Sequence, residues 1–369
     1  MRAVSSSNIR HLVEADVPAV ADLITRVFPQ HGWSSREECA SYVHETLFNN
    51  PWSDLGIPSW IAETRNEIAG IYAVFPRPML LRGRAIRVGV GCLLGVDTDK
   101  RHSLTALELI KACCSGPQDV MVADGANDRA QQLWVGTGRR LPLLYSLHWT
   151  RPLRPAQLAL SKLQERGSFP KPLSLLTRPV AALADAACAR LRPNRFLRDN
   201  DSGTREEPLE PETILSHLGE VMNGSALQPV YRADSLNWIF GQVVRKRRLG
   251  KLRARAVLSD SGRVRGWYMY FARSEAASEV LELAAAPGSY DLVLRHLLAD
   301  AWREGATAVR GRLDPRYARE LSDRNCWFRW DGSWTLVHAR DPEVMTAIDQ
   351  DQAVIGRLDG EWWLRFLGW

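Results

Sequence analysis

The segment Cys92–Val96, then DTDK, then Arg101, His102 and Ser103, closes an apolar run and leads into a helical pattern with Leu107, Ile110 and Cys114 on one face. A strand that feeds a polar, basic loop and then a helix can hold a phosphate. The first N–H groups of a helix have no partner inside it, and the macrodipole adds partial positive charge there. Arg101 puts a full charge at that mouth. Read on its own residues, the segment is equally an ordinary strand-to-helix turn with a solvated arginine. The closing residues GEWWLRFLGW are too apolar for a frayed tail, so the chain end should dock on the body of the protein and seal its core. Glu63, on the hairpin before the strand Arg87–Val96, reads on its own as a solvated strand residue.

Other reactive residue types give less. The six cysteines include no CxxC pair, so reduced thiols and no zinc are expected, with Cys92 a buried apolar residue. The histidines are scattered without ligand spacing. Arg245–Arg255 (RKRRLGKLRAR) holds seven basic residues in eleven, which suits RNA or an anionic substrate, or equally a solvated strand edge. Arginine supplies 42 of the 48 basic residues in a chain of net charge +6, a bias that fits phosphate recognition or merely a GC-rich genome.

These residues need elements to position them. The 369 residues are 45% hydrophobic and 24% charged, which excludes wholesale disorder and, at roughly 150 residues per domain, allows two domains. No apolar stretch of ~18 residues occurs and the start lacks the order of a signal peptide, so no membrane span is expected and the cytoplasm is the default location. Asp16 reads as the N-cap of a helix carrying Val20, Leu23, Ile24 and Val27 and ending before Pro29. A hairpin follows at 59–75, then the strand Arg87–Val96, the helix from about Leu104 to Cys114, a short strand Met121–Ala123, a helix led by Asn127, and a closing strand Leu141–Trp149. Residues 151–212, rich in proline and ending in RDNDSGTREEPLEPE, read as a connector with one helix at Val180–Leu191.

The pattern then returns. IAETRNEIAGIYAVF (61–75) aligns with VLSDSGRVRGWYMYF (257–271) at a constant offset, Gly70 on Gly266 and Phe75 on Phe271. Downstream come again a strand (Val280–Ala284), a helix (Tyr290–Arg303), a short strand (Ala308–Gly311), a second helix and a closing strand (Ser333–His338). Duplication is the reading, with domains at 1–150 and 213–369.

Taken in order, IRHLVEADVPAVADLITRVF (9–28), the hairpin, GVDTDKRHSLTALELIKA (95–112) and GANDRAQQLWVGTGRR (125–140) resemble the successive elements of the GNAT superfamily of acyl-CoA N-acyltransferases. The resemblance covers about 1–150 and, more weakly, 210–340. It implies an α/β (α+β) fold of two tandem GNAT-like domains, each a mixed central sheet flanked by helices. It also implies an N-acyltransferase that moves an acetyl or longer acyl group from acyl-CoA to a small-molecule or peptide amine in a ternary complex. Leu94 and Val96 would then lie on the strand that pairs with the pantetheine. Arg101, His102, Ser103, Leu104, Thr105 and Ala106 would form the pyrophosphate loop, with Leu104 where the family usually has glycine. Asn127 would lie beside the pantetheine. Trp134 stands where many members carry a tyrosine acid. Acyl transfer to an amine also needs a base, and the strand Arg87–Val96 lacks the glutamate that many members carry. The resemblance leaves Glu63 or the terminal carboxylate of Trp369, the group that some duplicated members use, with a tail that merely seals the core as the alternative to the latter. The second copy has no basic residue at its junction (281–293), places Asp314 at the Asn127 position, and is expected to bind no coenzyme A. Tyr231–Phe240 (YRADSLNWIF) resembles a segment of duplicated GNAT and FemAB-like chains. A FemAB-like transferase using charged tRNA, or an inactive binding pair, is the alternative. Only that alternative brings in nucleic acid, and a homo-oligomer stays open.

Overall fold

The computed structural model describes residues 8–53, 56–97, 103–136, 141–165, 177, 179–187 and 203–364. The chain forms two compact units: Met1–Ser146 with Gly224–Arg248 and Gly332–Trp369, and Leu147–Asn223 with Leu249–Asp331. These cut across the boundaries at 150 and 212 expected from the sequence.

In the first unit a sheet runs in the order β1 (Asn8–His11), β2 (Trp60–Thr64), β3 (Glu67–Leu81), β4 (Arg84–Val96), β5 (Val120–Ala126) and β14 (Trp334–Ala339), with β8 (Leu227–Pro229) paired to the far end of β3. The β2–β3 turn is the expected one. Arg65 and Asn66 take φ of 53° and 62°, the pair of left-handed residues that a two-residue hairpin uses. Helix α1 (Val17–Val27) buries Val17, Val20, Ala21, Leu23 and Ile24, a stripe at helical spacing. Asp16 holds the N-cap position as expected, with Pro18 in the first turn, but its carboxylate makes no capping bond to the helix: Glu14–Asp16 form a 3₁₀ turn, and Asp16 accepts from Arg10 and the Val13 amide, which hold its carboxyl below the usual range. Helices α2 (Arg36–Leu47), α3 (Ser103–Cys114) and α4 (Asp128–Val135) complete the first part.

The second sheet runs β13 (Trp327–Trp330), β6 (Leu147–Pro152), β12 (Ala308–Arg312), β11 (Ala277–Ala285), β10 (Val264–Ala272), β9 (Lys251–Ser259), β7 (Thr204–Pro208). It carries the same arrangement as the first: one parallel pair, β11 with β12 here and β4 with β5 there, in an otherwise antiparallel sheet. Gly70, opposite Val96, and Gly266, opposite Ala285, hold corresponding places.

Three expectations are corrected here. The strand expected to close the first sheet, Leu141–Trp149, is a 3₁₀ turn at Leu144–Ser146 followed by β6, which pairs with β12 and β13 of the second sheet. Strand β14 closes the first sheet on β5. The two sheets thus exchange closing strands, because hydrophobic alternation makes a strand without saying which open edge it completes. Second, the tract expected as a connector holds structure: α5 (Pro155–Glu165) and β7, whose residues pair with β9 from Thr204↔Ser259 to Pro208↔Arg255. Third, YRADSLNWIF lies in the first unit, within and before α7 (Ala233–Arg245), where Trp238 stacks on Phe75 at 5.6 Å; α6 (Pro211–Val221) lies between β7 and β8 in the chain.

Trp149 shows the exchange in side-chain terms. It is 1% exposed and belongs to the core of the second unit with Tyr268, Leu294 and Leu297. A Cβ on Gly311 would fall 2.7 Å from its indole, so the glycine makes room for the ring. Trp149→Ala is expected to cost about 3–5 kcal/mol, the range for deleting a buried tryptophan. Hydrogen exchange in the variant should rise in β10 and β11. A rise confined to β3–β5 would contradict the exchange.

Candidate functional site

Strands β4 and β5 part company. Their parallel ladder has three rungs, Val88↔Val120, Gly89↔Met121 and Val90↔Val122, after which β4 continues to Val96 and β5 to Ala126. Beyond this fork β4 stays on β3 through a bulge that leaves Cys92 between Val74↔Gly91 and Ala73↔Leu93, while β5 stays on β14. Glycine is required at the fork. A Cβ on Gly91 would lie 2.5 Å from the Tyr72 hydroxyl oxygen, and one on Gly89 2.6 Å from the Met121 sulfur. Cys92 is buried as expected, its thiol pushed well up by burial, so it is no ready nucleophile.

A segment from the far end of the chain lies against the fork. Gly360 packs on the Asp124 carboxylate of β5, where a side chain would leave no room, and the Glu361 amide donates to Asp124 Oδ1 at 2.6 Å. The Glu361 carboxylate sits over Gly125 of β5, and its charge adds to burial in raising the Cys92 thiol of β4. Arg77 of β3, 3% exposed, donates to the Leu358 carbonyl at 2.7 Å, stands 3.4 Å from Asp359 and lies 4.4 Å over the Trp52 ring. Tyr231 donates its hydroxyl to Asp359 at 2.7 Å. Further along, Trp363 donates to Leu358 O at 2.8 Å, and Tyr42 donates to the Leu364 carbonyl at 2.9 Å. The closing aromatic run is therefore docked through Leu364. Trp369 lies outside the described residues.

The other expected site residues stand on several elements. Leu94 and Val96 are half-buried on β4 beyond the fork, and Ser103 begins α3. Leu104 is 53% exposed, while Thr105 is buried and Ala106 half-buried. Arg101 and His102 lie outside the described residues. Asn127 caps α4, its Oδ1 accepting from the Ala130 amide at 2.9 Å. Glu63 is on β2, separated from β4 by β3, and accepts from Arg10 at 3.0 Å, which makes it an anchor for β1. Trp134 is core. In the second unit the β11–β12 ladder also ends after three rungs, at Glu279↔Arg310, where Arg310 lies between Glu279 and Asp331 and His148 meets Asp331 at 3.1 Å. Asp314 there is held by Arg316. Four residues of the basic run, Arg245, Arg248, Lys251 and Arg253, meet Glu45, the His31 carbonyl, Glu304, and Asp300 with Glu304. Among the described residues no group of three or more His, Cys, Asp or Glu side chains is arranged for a metal, and no helix is long and apolar enough to cross a membrane.

Asp124, Asp359 and Glu361, with Arg77 and Tyr231, were not singled out from the sequence. A signal existed: Asp124 is the one charge in the apolar strand VMVADGA, and Asp359 and Glu361 interrupt an otherwise apolar ending.

Burial raises the Asp359 carboxyl above the usual aspartate range, against the pull of Arg77 and the Tyr231 hydroxyl. The unfolded chain then gives up this proton more readily than the folded one. The contribution to stability is full below about pH 4 and is lost as pH rises through the raised value. Asp359→Asn holds a neutral group throughout, so in urea unfolding the wild type should weaken relative to the variant as pH rises above about 4. Parallel curves would contradict the assignment.

No family model matches the chain, and no curated protein does. Solved structures do. A conserved protein of Enterococcus faecalis described as a probable N-acyltransferase superposes with a TM-score of 0.56 at 8% identity, over 90% of this chain and 73% of that one. A GCN5-related N-acetyltransferase from Kribbella flavida gives 0.54 at 13% identity, over 94% and 75%. One from Anabaena variabilis gives 0.56 at 11% identity, over 91% and 73%. At these identities the likeness concerns the fold alone: the chain has the fold of the GCN5-related N-acetyltransferases.

Proposed function

We propose that the first unit is an N-acyltransferase that takes an acyl group from acyl-CoA and passes it to an amine. The observation that carries this reading is the fork. Beyond Val90 the edge of β4 that faced β5 is no longer closed by β5, and backbone N–H and C=O groups along such an edge call for partners. An extended ligand that itself bears amides, as pantetheine does, completes such a ladder in the manner of an added strand. The start of α3, with Ser103, Leu104, Thr105 and Ala106 and with Arg101 before it in sequence, would then receive the pyrophosphate. The neighbours in fold, two N-acetyltransferases and a protein described as a probable N-acyltransferase, support this use.

A thioester at the fork would lie beside Glu361. There the amine nitrogen attacks the carbonyl carbon, the C–S bond breaks with the electron pair leaving on sulfur, and Glu361 takes the proton from the amine. A backbone N–H of β4 that the ligand leaves unpaired would stabilise the charge that develops on the carbonyl oxygen. Glu361 is preferred to Glu63 because its carboxylate sits over Gly125 of β5, whereas Glu63 lies on β2 with β3 between it and β4.

Acyl-CoA binding to the full chain is measured first by calorimetry, then release of free coenzyme A with a panel of amines. Glu361→Gln should lower turnover by about 10²–10⁴-fold, the span of general-base catalysis, with acyl-CoA affinity unchanged. Full turnover in the variant would remove Glu361 from the role. An absence of acyl-CoA binding by the wild type would overturn the reading.

A further inference from the structure

The second unit holds three side chains, joined by hydrogen bonds, that the chemistry of the fork does not use. Thr204 and Glu206 belong to β7 and, two apart on a strand, share a face. His296 comes from α8 (Tyr290–Arg303), which packs on β10 and β11. Its Nε2 lies 3.0 Å from Thr204 Oγ1, and its Nδ1 lies 2.7 Å from Glu206 Oε1. A carboxylate only accepts, so the proton of the neutral ring sits on Nδ1 and leaves Nε2 to accept from the Thr204 hydroxyl. The other Glu206 oxygen stands 3.9 Å from Arg303. The ring is buried, while Thr204 and Glu206 are half-buried. A hydroxyl, an imidazole and a carboxylate in that order, each within hydrogen-bond reach of the next, are the parts of an activated nucleophile.

The strand adds a donor. Among the described residues β7 is the last strand of its sheet. The Asp260 amide donates to the Gly203 carbonyl, and the Leu209 amide to that of Ala254. These bonds fix the alternation of the ladder: Arg205 and Glu207 turn their peptide groups to β9, and Thr204 and Glu206 turn theirs to the open edge. The Thr204 N–H thus stands beside its own hydroxyl, on the side from which an ester reaches Oγ1, and can donate to an oxyanion formed there.

We propose that Thr204, His296 and Glu206 make the second unit a hydrolase of carboxylic esters, with Thr204 as the nucleophile. The proposal does not rest on the acyltransferase reading. Thr204 Oγ1 attacks the ester carbonyl carbon while its proton passes to His296 Nε2. The C–O bond to the alcohol then breaks, the leaving oxygen takes that proton, and the acyl group stays on Thr204 as an ester. Water attacks this ester with His296 as base. The bond to Oγ1 breaks, the free acid leaves, and Thr204 recovers its proton. Glu206 touches no reacting atom and is a positioning residue, holding the ring in the tautomer and orientation that both transfers need.

The test treats the full chain with a fluorophosphonate, which leaves a stable phosphonyl ester wherever an activated hydroxyl displaces fluoride, and follows p-nitrophenyl acetate turnover alongside. Peptide mass spectrometry should find the phosphonyl group on Thr204, with turnover lost as labelling proceeds. Thr204→Ala should abolish both labelling and turnover, and Thr204→Ser should keep both. His296→Gln should slow labelling by about 10²–10⁴-fold, the span of general-base catalysis. Glu206→Gln should slow it too, with Glu206→Asp restoring part of the rate; circular dichroism confirms that each variant is folded. A wild type left unlabelled at Thr204 would overturn the proposal. So would turnover that persists in folded Thr204→Ala, or labelling at the wild-type rate in folded His296→Gln or Glu206→Gln.

Discussion

Two parallel strands that are hydrogen-bonded for three rungs and then separate set the terms for everything else in the first unit. A sheet rarely gives up ladder bonds inside a folded domain, since each buried N–H or C=O left without a partner costs about 1–3 kcal/mol. Here the separation is supported from both sides. Strand β4 bulges at Cys92 and presents glycines where Tyr72 and Met121 press against it, and β5 is drawn to β14. The sheet is held open by its own neighbours.

The charges around the fork follow from the same constraint. Asp124, Asp359, Glu361, Arg77 and Arg357 are all buried or nearly so, a rare concentration for residues that normally stay in water. They are accommodated because the segment around Arg357–Leu364 brings peptide groups as well as side chains: Leu358 offers its carbonyl to Arg77 and to Trp363, and Glu361 offers its amide to Asp124. Aromatic faces take part too, with Arg77 over Trp52 and Arg357 over Trp362, each at 4.4 Å. Removing one member of such a group strands a charge, which is why the cluster and the closing aromatic run must be considered together.

Much of this was legible in the residues. The hairpin at 59–75, the long apolar strand ending at Val96, the helix that follows and the recurrence of this order at 257–311 were set by local alternation and turn chemistry, and the structure repeats them. What the residues could not show was pairing at a distance. Leu147–Pro152 and Trp334–Ala339 each announce a strand, but neither alternation nor length says that they cross to the opposite sheet. Thr204–Pro208 is polar because it is an exposed edge, and such a stretch is indistinguishable from a linker by composition. The carboxylates at the fork come from positions 124, 359 and 361, and only folding brings them to one place, although charges set inside apolar runs marked each of them. Glu63 drew notice by proximity in sequence to the fork strand, yet its geometry serves Arg10 and β1.

The central claim is that acyl-CoA lies along β4 of the first unit. Hydrogen–deuterium exchange of the full chain, with and without saturating acyl-CoA, tests it directly. The account expects slowed exchange in the β4 amides between Cys92 and Val96, with β11 residues Leu281–Ala285 of the second unit unchanged. Protection absent from β4, or confined to β11, would contradict it.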